Sequence, residues 1–387
     1  MLPETQRELT RMAFEHLDAG TTAMAPDGLR NPVTAYIDPE RFEQESAALF
    51  RTYPLLVGLT CLAPEAGDYF VDDLAGVPVL VVRGSDGVLR AFFNVCRHRG
   101  SRVVEGRGSA ARSFSCPYHA WTYDTSGRLM RIPCREGFAD VDVENTSLTE
   151  LPLVERHGLI WVVPSEGNAP DIDAQLGGLA PELASYGLEG YSHFGTATLT
   201  PEINWKVGID TFLEAYHLAI LHPTTVGPLY HNNLSLSDGF GLNHRMVAIR
   251  KTFEKMRGAA DVVGDFLTHT IQLYTLFPNV MFIHQADHIE IWRSFPRDGR
   301  VDASSVELSL YVPEPVTSDS ARRYWQANMD LALDTVDRED FRLSERIQRG
   351  YGSGAQSHLT YGRNEPALIH FHRSIRQALG LDRVGQD

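Results

Sequence analysis

The sequence contains no run approaching the ~18 apolar residues of a membrane-spanning helix, so no membrane segment is expected. Its opening stretch, MLPETQRELTRMAF, lacks the apolar region of a secretory leader, which points to the cytoplasm. A basic excess is missing as well. The chain carries 35 Lys and Arg against 50 Asp and Glu, a net charge of −15, and this excludes a general nucleic-acid surface. Cysteine is scarce. Cys61, Cys96, Cys116 and Cys134 are the only four, and nothing signals export, so reduced or metal-bound thiols fit better than disulfides. Internal repeats and low-complexity tracts are also absent. A chain of 387 residues has room for two or three domains, each large enough to bury a core.

What is present has a clear order. Asp38 and Pro39 have the chemistry of an N-cap and a first helical position, predicting a helix through Phe50. From residue 67 the pattern shifts to short β runs. GVPVLVVRG (76–84) and VLRAFFNV (88–95) flank a Ser85-Asp86-Gly87 turn. SFSCPYHAWTYD and GRLMRIP flank a second turn at Thr125-Ser126-Gly127, and GLIWVVP (158–164) closes the all-β region. The polar stretch 165–178 reads as a linker or crossover. Beyond it, residues 205–221 are predicted helical, and MFIHQADHIEIWRSF and VDASSVELSLYVPEP as antiparallel strands. Residues 319–349 are predicted to form one long or two short helices, with Gly350 as C-cap. The class is α+β.

Two loops in the β region carry metal-binding chemistry. FFNVCRHRG and SFSCPYHAW hold Cys96-x-His98 and, after a gap of 17 residues, Cys116-x-x-His119. Two thiolates and two imidazoles suit a tetrahedral zinc, or a two-iron cluster with two Cys on one iron and two His on the other. A Cys and a His one residue apart are awkward for a single tetrahedral ion. On different irons they are natural. Gly100 is expected to let the loop backbone approach closely, and Pro117 to stiffen the second loop.

CRHRG followed by CPYHAW resembles the Rieske signature of the ring-hydroxylating oxygenases, catalytic (alpha) subunits with non-haem iron. The resemblance implies that Cys96, His98, Cys116 and His119 hold a Rieske [2Fe–2S] cluster. High-potential Rieske proteins carry two extra loop cysteines, whereas here Arg99 and Ala120 flank the ligands, as in the lower-potential oxygenase branch. The implied fold is an all-β Rieske domain joined to a helix-grip catalytic domain of antiparallel sheet and helices. Its expected division is residues 53–165 for the cluster domain, 166–387 for the catalytic domain, and 1–52 as a helical segment packing on the latter.

A cluster only carries electrons, so the second domain should hold their destination. In NWKVGIDTFLEAYHLAILHP (204–223), Asp210, Glu214 and His217 fall on one face of a helix, and Pro223 requires the helix to loosen or end near His222. Alone, two histidines five apart carry little weight. The stretch resembles the family's segment from Asn-Trp-Lys to the iron histidines, here Asn204-Trp205-Lys206 and His217 and His222. The resemblance implies a mononuclear Fe(II) held by these two and a distant Asp. REDFRLSERIQRG places that Asp at Asp340, ahead of Glu345, Gln348 and Gly350, with Asp337 and Glu339 as local competitors. Two His and one carboxylate form a facial triad with open positions for O2.

Glu214 stands where ring-dihydroxylating relatives usually carry Asp, the residue that links a Rieske histidine of one subunit to an iron histidine of the next. Glu also occurs there in members acting on quaternary amines or as monooxygenases. Glu214, with Asp210 beside it, is therefore the candidate catalytic link from His119 of a neighbouring subunit to His217. Such a route implies head-to-tail packing in a closed ring, a homotrimer. GYGSG (350–354) follows a helix and is no dinucleotide fingerprint, so an NAD(P)H-dependent reductase, with or without a ferredoxin, must supply electrons. Arg97, Arg99, Arg102, Arg107 and Arg112 around the cluster loops are candidates for docking an acidic donor.

The expected activity is hydroxylation or oxidative demethylation of a small apolar or aromatic substrate with O2. The alternatives are monooxygenation of a quaternary ammonium compound and, in another class, electron transfer without oxygenase activity. Phe212, Leu213, Tyr274, Phe277, Phe282 and Trp292 are candidate pocket residues, with His284 and His288 near the same strands.

Overall fold

The structure is a computed structural model describing residues 1–381, so the last six residues of the expected catalytic range lie outside the described residues. The chain forms two compact units, Phe50–Ile172 and a second made of Met1–Leu49 with Asp173–Asp387. No described helix is long and apolar enough to cross a membrane.

The Phe50–Ile172 unit is built from short antiparallel strands. Its largest sheet has five, in the order Glu150–Leu151, Leu89–Phe93, Val77–Arg83, Tyr69–Leu74 and Arg107–Gly108. The turn between Val77–Arg83 and Leu89–Phe93 works as its sequence predicts. Gly87 takes φ +78°, and the Asp86 carboxylate accepts from the Val88 N–H and pairs with Arg90. A small sheet of Ser113–Ser115, Thr122–Asp124 and Leu129–Arg131 presents the second metal-binding loop. The core under both loops contains Leu80, Phe92, Phe114, Trp121 and Tyr123, with Cys96 and Cys116 at its edge.

The other unit centres on a seven-stranded antiparallel sheet. Its order is Ser192–Leu199, Ser304–Val312, Ile289–Pro296, Val280–His284, Thr270–Leu276, Asn243–Arg250 and Tyr230–Phe240. The N-terminal helix Pro3–Ala19 buries Leu9 and Ala13, four apart on one face, against Leu234, Leu236, Val247 and Ile249. Ser318 caps helix Asp319–Thr335 by accepting from the Ala321 N–H.

Two helix expectations need correction. Residues 205–221 are not one helix: only Val207–Asp210 and Leu218–Leu221 are helical. The Glu214 carboxylate accepts the backbone N–H groups of Tyr216 and His217, donors that a helix would have used, and the Ala215 carbonyl accepts from Asn233 instead. Asp210 and Glu214 therefore share no helix face. Farther on, Asp319–Thr335 runs through a π-helical segment, Val336–Phe341, into Arg342–Tyr351. Gly350 lies inside that last helix, and Gly352 is its C-cap.

The residues that flank the predicted ligands tie distant segments together. The buried Lys206 ammonium and the Trp205 indole N–H both reach Glu45, at 2.5 and 3.0 Å. Asn204 donates its backbone N–H to Gln348 Oε1 at 3.0 Å, and Glu345 accepts from the Glu202 N–H. These bonds hold the start of the histidine segment against the helix that follows Asp340.

Candidate metal centres and active-site cavity

The two loops of the β unit are near-copies of one turn. In the first, Cys96 N–H donates to Ser101 O and Gly100 N–H to Cys96 O; in the second, Cys116 N–H donates to Trp121 O and Ala120 N–H to Cys116 O. Both need a left-handed residue four positions after the cysteine, Gly100 at φ +78° and Ala120 at φ +52°. No protein atom lies within 4 Å of a Cβ built at Gly100, so within the chain glycine serves the backbone angle.

The loops bring their histidines together, with ring centroids 4.7 Å apart, and His98 stacks on Trp121. Both cysteines are buried and free of disulfides. His98 Nδ1 is buried without a hydrogen-bond partner, which is costly unless a metal occupies that lone pair. Tyr123 accepts from the Arg97 N–H at 3.0 Å and lies 3.4 Å from Cys96 Sγ. Burial, then the neighbouring thiol, pushes its hydroxyl pKa up, so it remains a donor to that sulfur. These residues fit a cluster held by two thiolates and two imidazoles.

In the larger unit, one donor atom each from His217, His222 and Asp340 lies within 4.8 Å of the others. Among the described residues this is the only such group of three or more metal-binding side chains. The π-helical turn explains why both neighbours, Glu339 and Asp340, face the histidines. Its wider winding narrows the angle between successive side chains. Asp340 Oδ1 lies 3.3 Å from His222 Nε2 and 3.7 Å from His217 Nε2, and accepts from the Thr211 hydroxyl at 2.8 Å.

The opposite ring nitrogens meet carboxylates. His217 Nδ1 is bonded to Glu214, and His222 Nδ1 lies 2.5 Å from Glu339, which also accepts from Thr225. Each carboxylate selects the tautomer with hydrogen on Nδ1, leaving Nε2 lone pairs to face a common point with Asp340. Burial opposes ionisation of Glu214, but the His217 ring and two backbone N–H groups outweigh it and hold its pKa below the ordinary value. Burial likewise opposes protonation of His222. Asp340 and Glu339 outweigh that, so its pKa rises and a proton competes with a metal cation there.

Asp210 stands apart from this group. Its carboxylate accepts from Tyr36 and lies 2.9 Å from His372 Nε2. Asp337 is not in the three-residue donor group, and Glu339 supports a histidine instead of joining it. The sequence offered one sign of Glu339's role, a second carboxylate next to Asp340.

The triad opens into a cavity of about 600 Å³. Of the pocket residues expected from sequence, Phe212, Trp292 and His288 line it. Tyr274, Phe282 and His284 do not, because side chains alternate along a strand: Ile271, Leu273 and Ile283 face the cavity, and their neighbours face away. On that other face Tyr274 bonds Glu182 and Tyr186, and His284 bonds Gln272. Leu213 and Phe277 are fully buried core. The sequence reading missed Arg250, Gln285 and Glu290, which also line the cavity.

Residues 59–149 match the family description "Rieske [2Fe-2S] domain", and residues 188–381 match "Ring hydroxylating alpha subunit (catalytic domain)". The chain is 34% identical to the glycine betaine monooxygenase oxygenase subunit of Pseudomonas aeruginosa, over 88% of this chain and 86% of that one. It is 26% identical to the carnitine monooxygenase oxygenase subunit of Escherichia coli, over 89% and 92% of the two chains. In fold it matches a quaternary ammonium Rieske monooxygenase solved with L-carnitine, at TM-score 0.79 and 22% identity, covering 91% of this chain and 96% of that one. A naphthalene 1,2-dioxygenase matches at TM-score 0.74 and 20% identity, covering 91% and 92%.

Proposed function

This chain belongs to the ring-hydroxylating oxygenase alpha subunits and is a terminal Rieske oxygenase, and from that premise we propose that it oxidises a small quaternary ammonium compound. The observation that carries the substrate reading is the cavity wall. Phe212 and Trp292, ring centroids 5.3 Å apart, lie beside the triad, and Glu290 accepts from the Trp292 indole N–H at 2.9 Å. Aromatic faces backed by a carboxylate attract a cation that cannot donate a hydrogen bond. The glycine betaine and carnitine relatives support the same reading.

The family's [2Fe–2S] cluster supplies electrons, and its mononuclear iron supplies O2 activation. In our assignment Cys96, His98, Cys116 and His119 hold the first, and His217, His222 and Asp340 the second. The cluster domain is assigned to residues 53–165 and the catalytic domain to 166–387, with residues 1–52 packed on the latter. Glu214 keeps the His217 tautomer through one oxygen while the other accepts two backbone N–H groups, and the second lone pair of the first oxygen would take His119 of a neighbouring subunit. That route requires a closed ring, for which we propose a homotrimer. Buried apolar side chains such as Ile271, Leu273 and Ile283 keep bulk water from the reacting centre.

A separate reductase or ferredoxin completes the system. Arg97 bonds Thr149, Arg99 lies over the exposed Tyr118 ring, and Arg102 is partly engaged with Asp73 and Glu105. Asp210, bonded to Tyr36 and His372, acts as a positioning residue for the strand of chain that carries Thr211.

Replacing Glu214 by Gln tests the route. The variant should retain three irons and two sulfides per chain and a cluster that a donor still reduces, yet fail to pass those electrons to turnover. Wild-type turnover in that variant would remove Glu214 from the path. Oxygen uptake with choline or trimethylglycine and a surrogate reductase, against their uncharged tert-butyl analogues, tests the substrate class.

A further inference from the structure

The cavity wall opposite in character to the aromatic pair contains a fixed separation of charge. Arg250 is the only Lys or Arg among the described residues lining the cavity. It is half-buried and makes no ion pair among the described residues. Its protein partners are neutral: Nη2 donates to Gln285 Oε1 at 2.9 Å, and Nε donates to the Thr270 carbonyl at 3.4 Å. The guanidinium lies over the Tyr230 ring, 5.3 Å from its centroid, so its plane is held in one orientation. Among the described residues Nη1 has no protein acceptor.

Gln285 sits between this cation and an anion. Its Oε1 faces Arg250 and its Nε2 donates to Glu290 Oε1 at 3.0 Å, an orientation that only this pair of neighbours satisfies. Glu290 also faces His288, which in turn bonds Asp287, so two carboxylates flank one imidazole at the negative end. Arg250, Gln285 and Glu290 thus form a wall with a positive and a negative end separated by one amide.

We infer that this wall selects a zwitterion: Arg250 binds the carboxylate of a substrate whose cationic head lies toward Glu290 and Trp292. The inference rests on the quaternary ammonium reading for its cationic half, and on Arg250 alone for its anionic half. A planar guanidinium with free donors, already stacked and held by neutral partners, loses little freedom when it takes a carboxylate. A substrate with a hydroxyl in place of the carboxylate would leave that cation without a counter-charge at the cavity wall. Arg250 is therefore a specificity-determining residue outside the metal-binding group.

The test is calorimetric binding to the anaerobic, iron-loaded full chain, using four probes. Trimethylglycine and choline share the ammonium head and differ in carboxylate against hydroxyl. Tert-butylacetate and neohexanol repeat that difference with an uncharged head. The wild type should favour each acid over its alcohol by about 10- to 100-fold, the range of a charge-assisted hydrogen-bonded pair. Arg250→Met should abolish that preference, weakening the acids and relieving the alcohols of an unpaired cation, and Arg250→Lys should retain part of it. Gln285→Glu, which offers Arg250 an internal carboxylate, should also remove it and guards against misfolding of the methionine variant; cluster absorbance reports the fold in each.

Unchanged acid-to-alcohol ratios in the folded Arg250→Met or Gln285→Glu variants, or no preference in the wild type, would overturn the inference. Equal binding of the tert-butyl and ammonium pairs would sink the quaternary ammonium reading while leaving the Arg250 result to stand or fall by itself.

Discussion

The two metal-binding regions differ in how far along the chain their ligands lie. In the β unit all four candidate ligands fall within residues 96–119, on two loops that repeat the same turn with a left-handed residue in the same place. Each loop can take its shape from its own backbone hydrogen bonds. In the sheet-and-helix unit, His217 and Asp340 are separated by more than a hundred residues. Their meeting depends on a helix broken by Glu214, a π-helical turn, and the Asn204–Gln348 bond between the segments. A local site is set by turn chemistry, whereas a distant one needs other parts of the fold to position it. This difference explains why the second centre is surrounded by carboxylates that hold ligands without joining them.

If the two centres are as separable as this contrast implies, each should be removable alone. Asp340→Ala is expected to lose the mononuclear iron and all turnover while retaining the cluster's visible absorbance. Cys116→Ser should do the reverse, losing the cluster while the histidine–aspartate site still takes up Fe(II). Iron and sulfide analysis of both variants checks this, and loss of both centres from either single change would break the comparison.

A smaller effect sharpens it. Glu339→Gln leaves the triad's own donors intact but weakens the acceptor for His222 Nδ1–H, and it should lower iron affinity about 10- to 100-fold. Competition with a chelator measures the change. Cluster content should not move. An iron affinity equal to wild type would mean that the π-helical turn alone orients His222.

The smallest change falls on the local site. Gly100→Ala forces a Cβ into a left-handed residue and should destabilise the β unit by about 1–2 kcal/mol, with Ala120→Gly relieving a penalty of similar size in the twin loop. The midpoint of thermal bleaching of the cluster reads both. A substitution at Gly100 without effect would show that cluster coordination, rather than turn geometry, shapes the loop.

Much of this protein follows from local chemistry. The Ser85-Asp86-Gly87 turn, the Cys-x-His and Cys-x-x-His spacing, and the helix start at Pro39 all depend on residues a few positions apart. Reading them required no knowledge of the rest of the chain. The same reading gave a continuous helix over 205–221, because periodicity registers side-chain spacing and cannot register a carboxylate capturing backbone N–H groups. It also placed Tyr274 and Phe282 in the pocket, since either parity of a strand buried on both faces looks apolar.

The sequence by itself determined which side chains can bind metal and, through short-range turns, the shape of both cluster loops. Only the tertiary structure decided that Glu339 supports a histidine, that Asp210 turns to Tyr36 and His372, and that Arg250 and Glu290 share one cavity wall. Those outcomes depend on sheet parity, a π-helical turn and the packing of segments far apart in the chain. Such long-range geometry has no period or spacing along the sequence through which it could be read.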